Sequence, residues 1–404
     1  MVNFSVFNEL SLPFENELDI ENEFIVFFKL LKDLEKKQLK KIRFEKTFKE
    51  YDIVKNINFQ QFMGQCKNST FKDRLREFLT NQIIKIESPL INDDEIDVVV
   101  EVMGGVEPAF TFVKKALEAG KSVCTSNKAL VAAHGPELLE MAKERKLNFM
   151  FEASVGGGIP IIRPLNQSLT ADEITKITGI LNGTTNYILT KMSREGISYQ
   201  EVLKEAQALG YAERNPEADV EGYDACRKIA ILTSLAFGNT VKFEEVYTEG
   251  ITKISNEDFA YAKELGSVIK LLATSYSKDG KVYAITAPFM IDSTHPLYNV
   301  NGVLNGIYVN GNMVGDVMFF GAGAGKLPTA SAVVGDIVDA AKHLHTNIFT
   351  NWNSTPAKLR PLDQVSGRFF VRVKKEVAEE AKEVFEGDLC GLSLKTEKKL
   401  LLEE

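Results

Sequence analysis

The chain has 404 residues, 44% apolar and 26% charged; this is enough for two or three domains, and the globular-average composition excludes a disordered or fibrous chain. Its formal charge of −8, from 48 basic and 56 acidic side chains, gives no basic field for a phosphate backbone, so nucleic acid is not an expected partner. Four scattered cysteines, Cys66, Cys124, Cys226 and Cys390, fit neither a zinc knuckle nor a disulfide framework. No apolar run reaches the roughly 18 residues of a membrane span. Glu9, Glu15, Glu17 and Asp19 stand where a signal peptide would begin with basic residues. A cytoplasmic chain with no membrane partner is expected.

The composition breaks near residue 92. Residues 1–91 hold no alanine and one glycine, Gly64, yet carry 12 of the 26 phenylalanines. We read them as a segment of different origin, from a fusion or an assembly junction. Within it, Phe24, Phe27, Phe28, Leu31 and Leu34 recur at helical spacing among lysines, predicting one amphipathic helix over 21–42.

After the break the pattern is regular. Asp97 to Met103 (DVVVEVM), closed by Gly104 and Gly105, predicts a strand buried on both faces of a parallel sheet. Glu107 and Pro108 start a helix that Gly120 ends. Then come a strand at 122–125, a helix from about Pro136 to Arg145 and a strand at 147–151. Alternating strand and helix imply right-handed parallel crossovers, the second half of a Rossmann-like α/β fold. Beyond residue 160 the helices lengthen: Ser198 to Glu201 is a capping box, and another helix begins near Gly222. Strands are predicted at 174–181, 281–290 and 306–309. This part reads as α+β, a mixed sheet covered by helices.

Four clusters combine glycine, charge and small polar residues. Cys124 to Lys128 leaves a strand end, where ligands of parallel sheets sit. Glu152 to Pro160 contains Gly156-Gly157-Gly158, whose backbone could turn carbonyls toward a hard cation or form a tight hinge. Asn182 to Tyr187 is either a substrate-orienting loop or a hydrogen-bonded turn. The fourth runs from Gly210 through Glu213 and Asp219 to Asp224 and Lys228. Asp224 and Lys228 fall one helical turn apart, so the carboxylate can position the ammonium. Such a lysine can protonate a carbonyl oxygen as hydride arrives, and as a solvent-facing cleft residue Lys228 is expected to change stability by under about 1 kcal/mol when replaced by alanine; the plain alternative is a surface ion pair worth about 0.3–0.5 kcal/mol. The four histidines form no triad or metal spacing.

In this order, DVVVEVMGGVEPA, TSNKALVA, FEASVGGGIPIIRPL, ILNGTTNYILT, GYAERNPEADVEGYDACRKIAIL, YTEGITKIS and GDVMFFGAGAGKLPTASAVVGD resemble the homoserine dehydrogenase family from about residue 93 to 345. The resemblance implies reversible NADP- or NAD-dependent interconversion of L-homoserine and L-aspartate 4-semialdehyde, toward threonine and methionine, by a homodimer. It implies that Lys228 is the proton donor and acceptor, that Asp224 and Glu213 hold the homoserine amine and hydroxyl, and that Gly183 and Thr184 contact substrate. By the same resemblance Lys128, Gly210, Gly325 and Gly104 face the cofactor, and the backbone oxygens of Glu152, Val155, Gly157 and Ile159 form a sodium site. The expected organisation is a segment at 1–91, an incomplete Rossmann-like half at 92–160, a mixed-sheet catalytic and dimerisation domain at 161–345, and a tail at 346–404.

The departures carry expectations too. A strand, G-x-G-x-x-G turn and helix should open the family fold and bind the pyrophosphate. Here that whole unit is expected to be absent, since residues 1–91 cannot supply the glycine fingerprint, and weak cofactor binding is expected. Arg368 to Val373 (RFFVRV) resembles the first strand of a regulatory ACT domain, with too few residues after it for the whole module. The alternative function is a non-catalytic fusion or interaction protein carrying this scaffold.

Overall fold

The computed structural model describes residues 4–8, 91–361, 368–377, 380, 388–394 and 397–403. The amphipathic helix expected over 21–42 lies outside them. Strand β1 (Phe4–Asn8) pairs in parallel with β2 (Val98–Val102), Phe4 opposite Val98 and Asn8 opposite Val102. The opening strand of the nucleotide-binding unit is therefore present, which corrects the expectation that the whole unit is missing. The residues directly after it, Glu9-Leu10-Ser11-Leu12-Pro13, include no glycine.

Helix α1 (Ala109–Glu118) starts behind Pro108 and buries Phe112, Val113, Ala116 and Leu117. After β3 (Ser122–Thr125), helix α2 (Lys128–Glu144) begins well before the predicted Pro136, which sits inside it. Asn127 caps its N-terminus by accepting from the Leu130 N–H at 3.1 Å, and Leu130, Val131, Leu138 and Leu139 are buried along one side. A cap and four buried side chains at ~1.5–3 kcal/mol each outweigh the ~3 kcal/mol cost of an interior proline. Strand β4 (Phe149–Met150) is shorter than predicted because the chain tightens into a 3₁₀ turn at Glu152–Ser154. The sheet order is β1-β2-β3-β4, all parallel.

Next come β5 (Ile174–Ile180), α3 (Gly183–Glu195), α4 (Tyr199–Ala208), the single turn α5 (Glu217–Val220) and α6 (Tyr223–Phe237). The Ser198–Glu201 capping box forms as read. Then β6 (Gly238–Thr240), β7 (Tyr247–Thr248), α7 (Asn256–Glu264), β8 (Ser267–Lys278), β9 (Lys281–Asp292), β10 (Leu304–Gly311), β11 (Gly315–Ala322), α8 (Lys326–Lys342) and β12 (Trp352–Pro356) complete the main body. The long strand β8 was not anticipated. Its apolar run is interrupted by Lys270, which hides a largely buried strand from a hydropathy reading.

The chain forms two compact units. The first comprises 1–174, 230–243 and 311–356, the second 175–229, 244–310 and 357–404. The core of the first packs Val98, Val100 and Cys124 of the parallel sheet against Val333, Ile337 and Ala340 of α8. In the second, the strands run in the order β10-β5-β8-β9-β7. Pairs β5/β8 and β8/β9 are antiparallel and β7/β9 parallel, so the sheet is mixed, as expected. Ile188, Leu189 and Met192 of α3 close its core over Ile269 and Leu271 of β8. The RFFVRV segment is a strand, β13 (Phe369–Arg372), paired antiparallel with β15 (Glu397–Glu403), which also pairs with β14 (Asp388–Leu394). Among the described residues, no helix is long and apolar enough to cross a membrane.

Candidate active site

In the second unit, the apolar strand β5 delivers the chain to Leu181 and Asn182. The Asn182 side chain accepts from the Thr185 N–H at 2.9 Å and so caps α3. Its amide group donates in turn to Asp219 Oδ1 at 2.7 Å and Asp224 Oδ2 at 3.0 Å. One asparagine thus joins three separated segments. Asp224 lies in the first turn of α6, and one turn on Lys228 donates to Asp224 Oδ2 at 2.6 Å and to the Leu181 carbonyl at 2.8 Å. The side chains of Lys228 and Asp224 are only 11% and 6% exposed. The pair is therefore buried, which corrects the reading of Lys228 as solvent-facing and removes the small stability cost attached to it. An ammonium carries three N–H donors; among the described residues two are engaged, and the third can reach a substrate oxygen.

The loop that carries Gly210, Tyr211 and Glu213 is fastened to α3. Thr184 donates to the Tyr211 carbonyl at 2.5 Å, and the Tyr187 and Tyr211 rings meet edge to face at 5.1 Å. Gln207 holds the Glu213 carbonyl at 3.0 Å, while Glu213 itself is exposed. The structure thus ties Asp224, Lys228 and Asn182 into one network, fastens Thr184 to the Tyr211 carbonyl, and keeps Glu213 on the adjoining loop. Gly183 is required as glycine: a Cβ there would lie 2.8 Å from the Val303 carbonyl and 3.6 Å from Asn305 Oδ1.

The residues sequence reasoning missed are Asn182 as a hub, Asp219 as its second acceptor, and Asn305, wholly buried with neither side-chain polar atom partnered among the described residues. A capping asparagine before Gly-Thr-Thr is legible. Its bonds to carboxylates 37 and 42 residues away in the chain are not.

In the first unit, the carboxyl ends of β2 and β3 are tied together by Glu101, 1% exposed. It accepts from the Thr125 hydroxyl at 2.5 Å, and Asn127 donates to the Gly105 carbonyl at 2.7 Å. This fixes the turn at Gly104 and sets Lys128, half-buried, at the start of α2. Glu101 and Asn127 carried no chemistry in the sequence reading. Burial pushes the Cys124 thiol well up, so it is an inert core residue.

The loop of Glu152, Val155, Gly157 and Ile159 is held from both ends. The Glu152 carboxylate accepts the backbone N–H groups of Ile161, Ile162 and Arg163 at 2.6, 2.8 and 2.7 Å. Asp336 accepts the Glu152 N–H at 2.8 Å and the Arg163 guanidinium at 2.6 Å. Burial, then the nearby Glu152 charge, pushes the Asp336 carboxyl up to about 8 against the pull of Arg163. Gly157 has φ +55°, and its Cβ would meet the Gly323 carbonyl at 2.6 Å, so the glycine run serves a close backbone approach. Gly325 caps α8.

A parallel sheet with polar side chains gathered at its strand ends, and a second unit that holds a carboxylate-positioned lysine, are the parts of a dinucleotide-dependent oxidoreductase. The sequence model described as homoserine dehydrogenase matches residues 160–338, and that of the homoserine dehydrogenase NAD-binding domain matches 36–152. The second match reaches back across the compositional break, so residues 36–91 fall within the family's NAD-binding region. A homoserine dehydrogenase of Synechocystis is 46% identical over 300 residues, 70% of this chain and 68% of that protein. One of Bacillus subtilis is 46% identical over 279 residues, 69% of this chain and 64% of its own length; the matched stretch thus spans about two thirds of these relatives. The crystal structure of a homoserine dehydrogenase from Thiobacillus denitrificans aligns with a TM-score of 0.80 at 31% identity, covering 99% of this chain and 90% of that one. A hyperthermophilic archaeal homoserine dehydrogenase mutant, in complex with NADPH, aligns at TM-score 0.56 and 34% identity over 63% of this chain and 75% of its own. The chain belongs to the homoserine dehydrogenase family.

Proposed function

We propose that this chain catalyses the reversible NAD(P)-dependent interconversion of L-homoserine and L-aspartate 4-semialdehyde, a step toward threonine and methionine. The observation that carries this is the buried Lys228, aimed by Asp224 and the Leu181 carbonyl with one N–H to spare. Lys228 protonates the aldehyde oxygen in one direction and takes the hydroxyl proton in the other. Asp224 and Glu213 supply the counter-charge and acceptors for the homoserine amine and hydroxyl, and Gly183 and Thr184 orient the substrate.

The cofactor is NADP or NAD. Gly104 and Lys128, at the strand ends that Glu101 and Asn127 tie together, suit a dinucleotide by their place in the sheet, and Gly325 and Gly210 are further contacts. Bound there, the dinucleotide supplies or accepts the hydride. Without the glycine fingerprint several charge-assisted bonds are lost, each worth about 1.5–3 kcal/mol. Titrating the chain with NADPH is expected to give a dissociation constant weaker than micromolar; tighter binding removes this expectation. The family resemblance also implies a sodium site at the backbone oxygens of Glu152, Val155, Gly157 and Ile159, oxygen being the donor a hard cation takes. Homodimerisation and a cytoplasmic location complete the proposal; Cys124 and Cys226 are both buried, and neither is in a disulfide among the described residues.

The test is oxidation of L-homoserine by the purified full chain with saturating NADP⁺ or NAD⁺, beside Lys228→Ala. Turnover confined to the unsubstituted chain is expected. Equal rates in the two, or none with either cofactor, overturn the assignment.

A further inference from the structure

Lys270 lies in the middle of β8, 2% exposed, and none of the chemistry above uses it. Its ammonium donates to Asn186 Oδ1 at 3.1 Å, to the Val300 carbonyl at 2.5 Å and to Asn301 Oδ1 at 3.0 Å. Three donors meet three acceptors, and all three acceptors are neutral. Burial, with Arg194 adding repulsion, lowers the lysine to about 8. A methionine would fill this place without that electrostatic cost, so stability alone does not explain a lysine here.

The acceptors explain it better. Asn186 belongs to the first turns of α3, whereas Val300 and Asn301 begin the loop that leads into β10. The Asn186 amide group donates to the Val300 and Leu304 carbonyls at 3.2 and 3.0 Å. Thr190 donates to the Asn186 carbonyl at 2.6 Å and accepts the Gly302 N–H at 3.1 Å. The 300–304 loop is thereby stitched along α3, and Lys270 is the only cation within that stitching among the bonds just given. At the far end of the loop the Val303 carbonyl presses on Gly183, at a distance only glycine accepts. The height at which the loop sits therefore sets where Gly183 and Thr184 stand.

We propose that Lys270 is a positioning residue for homoserine: from beneath, it fixes the loop that seats the Gly183–Thr184 turn. This rests on the reading of Gly183 and Thr184 as substrate contacts. It assigns Lys270 no contact with substrate or cofactor.

The test is Lys270→Met in the full chain. The homoserine KM is expected to rise about tenfold, with the cofactor KM and kcat within about twofold, because an orphaned set of acceptors loosens one turn. A merely structural lysine would lower the melting temperature and the active fraction and leave the homoserine KM of the folded enzyme unmoved; that result overturns the proposal. So does an equal rise in both KM values. Should Lys270→Met not fold, Asn301→Ala removes a single acceptor and is expected to raise the homoserine KM about threefold, no change overturning the proposal. If the unsubstituted chain turns over no homoserine, the functional reading fails separately. Amide hydrogen exchange then decides: faster exchange confined to residues 182–190 and 300–305 supports the positioning role, and unchanged or uniformly faster exchange ends it.

Discussion

Asp336 with Arg163 in the first unit and Asp224 with Lys228 in the second each set a buried carboxylate against a cation, and the two pairs are built differently. In the first, Asp336 is 2% exposed and receives both the Arg163 guanidinium and the Glu152 N–H, while Arg163 also donates its Nε to Asp339 at 3.1 Å. In the second, Asp224 receives Lys228 and Asn182, and Lys228 has two of its three donors engaged among the described residues. A planar guanidinium that bridges two carboxylates is fixed in place and suits a structural clamp. A lysine is a point charge that can surrender a proton, and it becomes a tool when a neighbour holds it by less than its full donor set. Burial alone therefore does not separate the two pairs; the number of donors engaged among the described residues does.

The comparison can be broken most sharply at Lys228. Lys228→Ala is expected to cut turnover by ~10²–10⁴-fold, the range of a lost general acid. It is also expected to destabilise the fold by about 3–5 kcal/mol, since Asp224 would be left as an uncompensated buried charge. Steady-state kinetics and urea denaturation measure the two; a variant as stable as the parent would return Lys228 to the surface.

Arg163→Met should show the converse, a loss of about 2–3 kcal/mol in denaturation with kcat at low temperature held within about threefold. A collapse of kcat at unchanged stability would make the clamp chemical. Thr184→Val removes the bond to the Tyr211 carbonyl, worth about 1 kcal/mol, and is expected to raise the homoserine KM about fivefold. An unaltered KM would detach the 210–213 loop from substrate binding.

A further prediction, in pH rather than in kinetics, concerns Lys270. Its folded value is lowered to about 8 from 10.5, so between those values the unfolded chain holds more protons than the folded one. Stability relative to Lys270→Met should therefore rise as pH climbs from about 8 toward about 10.5. Denaturation at stepped pH reads the slope, and a fall over that window contradicts the burial of a charged Lys270.

Much of this was legible in the chain itself. The DVVVEVM strand, the Ser198 capping box and the one-turn spacing of Asp224 and Lys228 are local consequences of residue order, because strand pleat, cap and helical period repeat within a few residues. Other features were misread where a local signal pointed the wrong way. Pro136 masked the true start of α2, which the Asn127 cap sets. Lys270 masked a strand that its own hydrogen bonds make habitable. At the glycine run 156–158 hinge and cation site stood equally open, and the approach of Gly323 adds a packing reason for Gly157 that local sequence does not carry.

The sequence by itself determined the family, the alternation of strand and helix after residue 92 and the identity of the acid–base candidate, since motif and period are written in neighbouring residues. Only the tertiary structure decided that Lys228 is buried, that Asn182 gathers Asp219 and Asp224, and that a strand at Phe4–Asn8 pairs with β2. Those facts depend on which distant segments exclude water together, and burial of a polar group against a remote partner is a property of the folded whole.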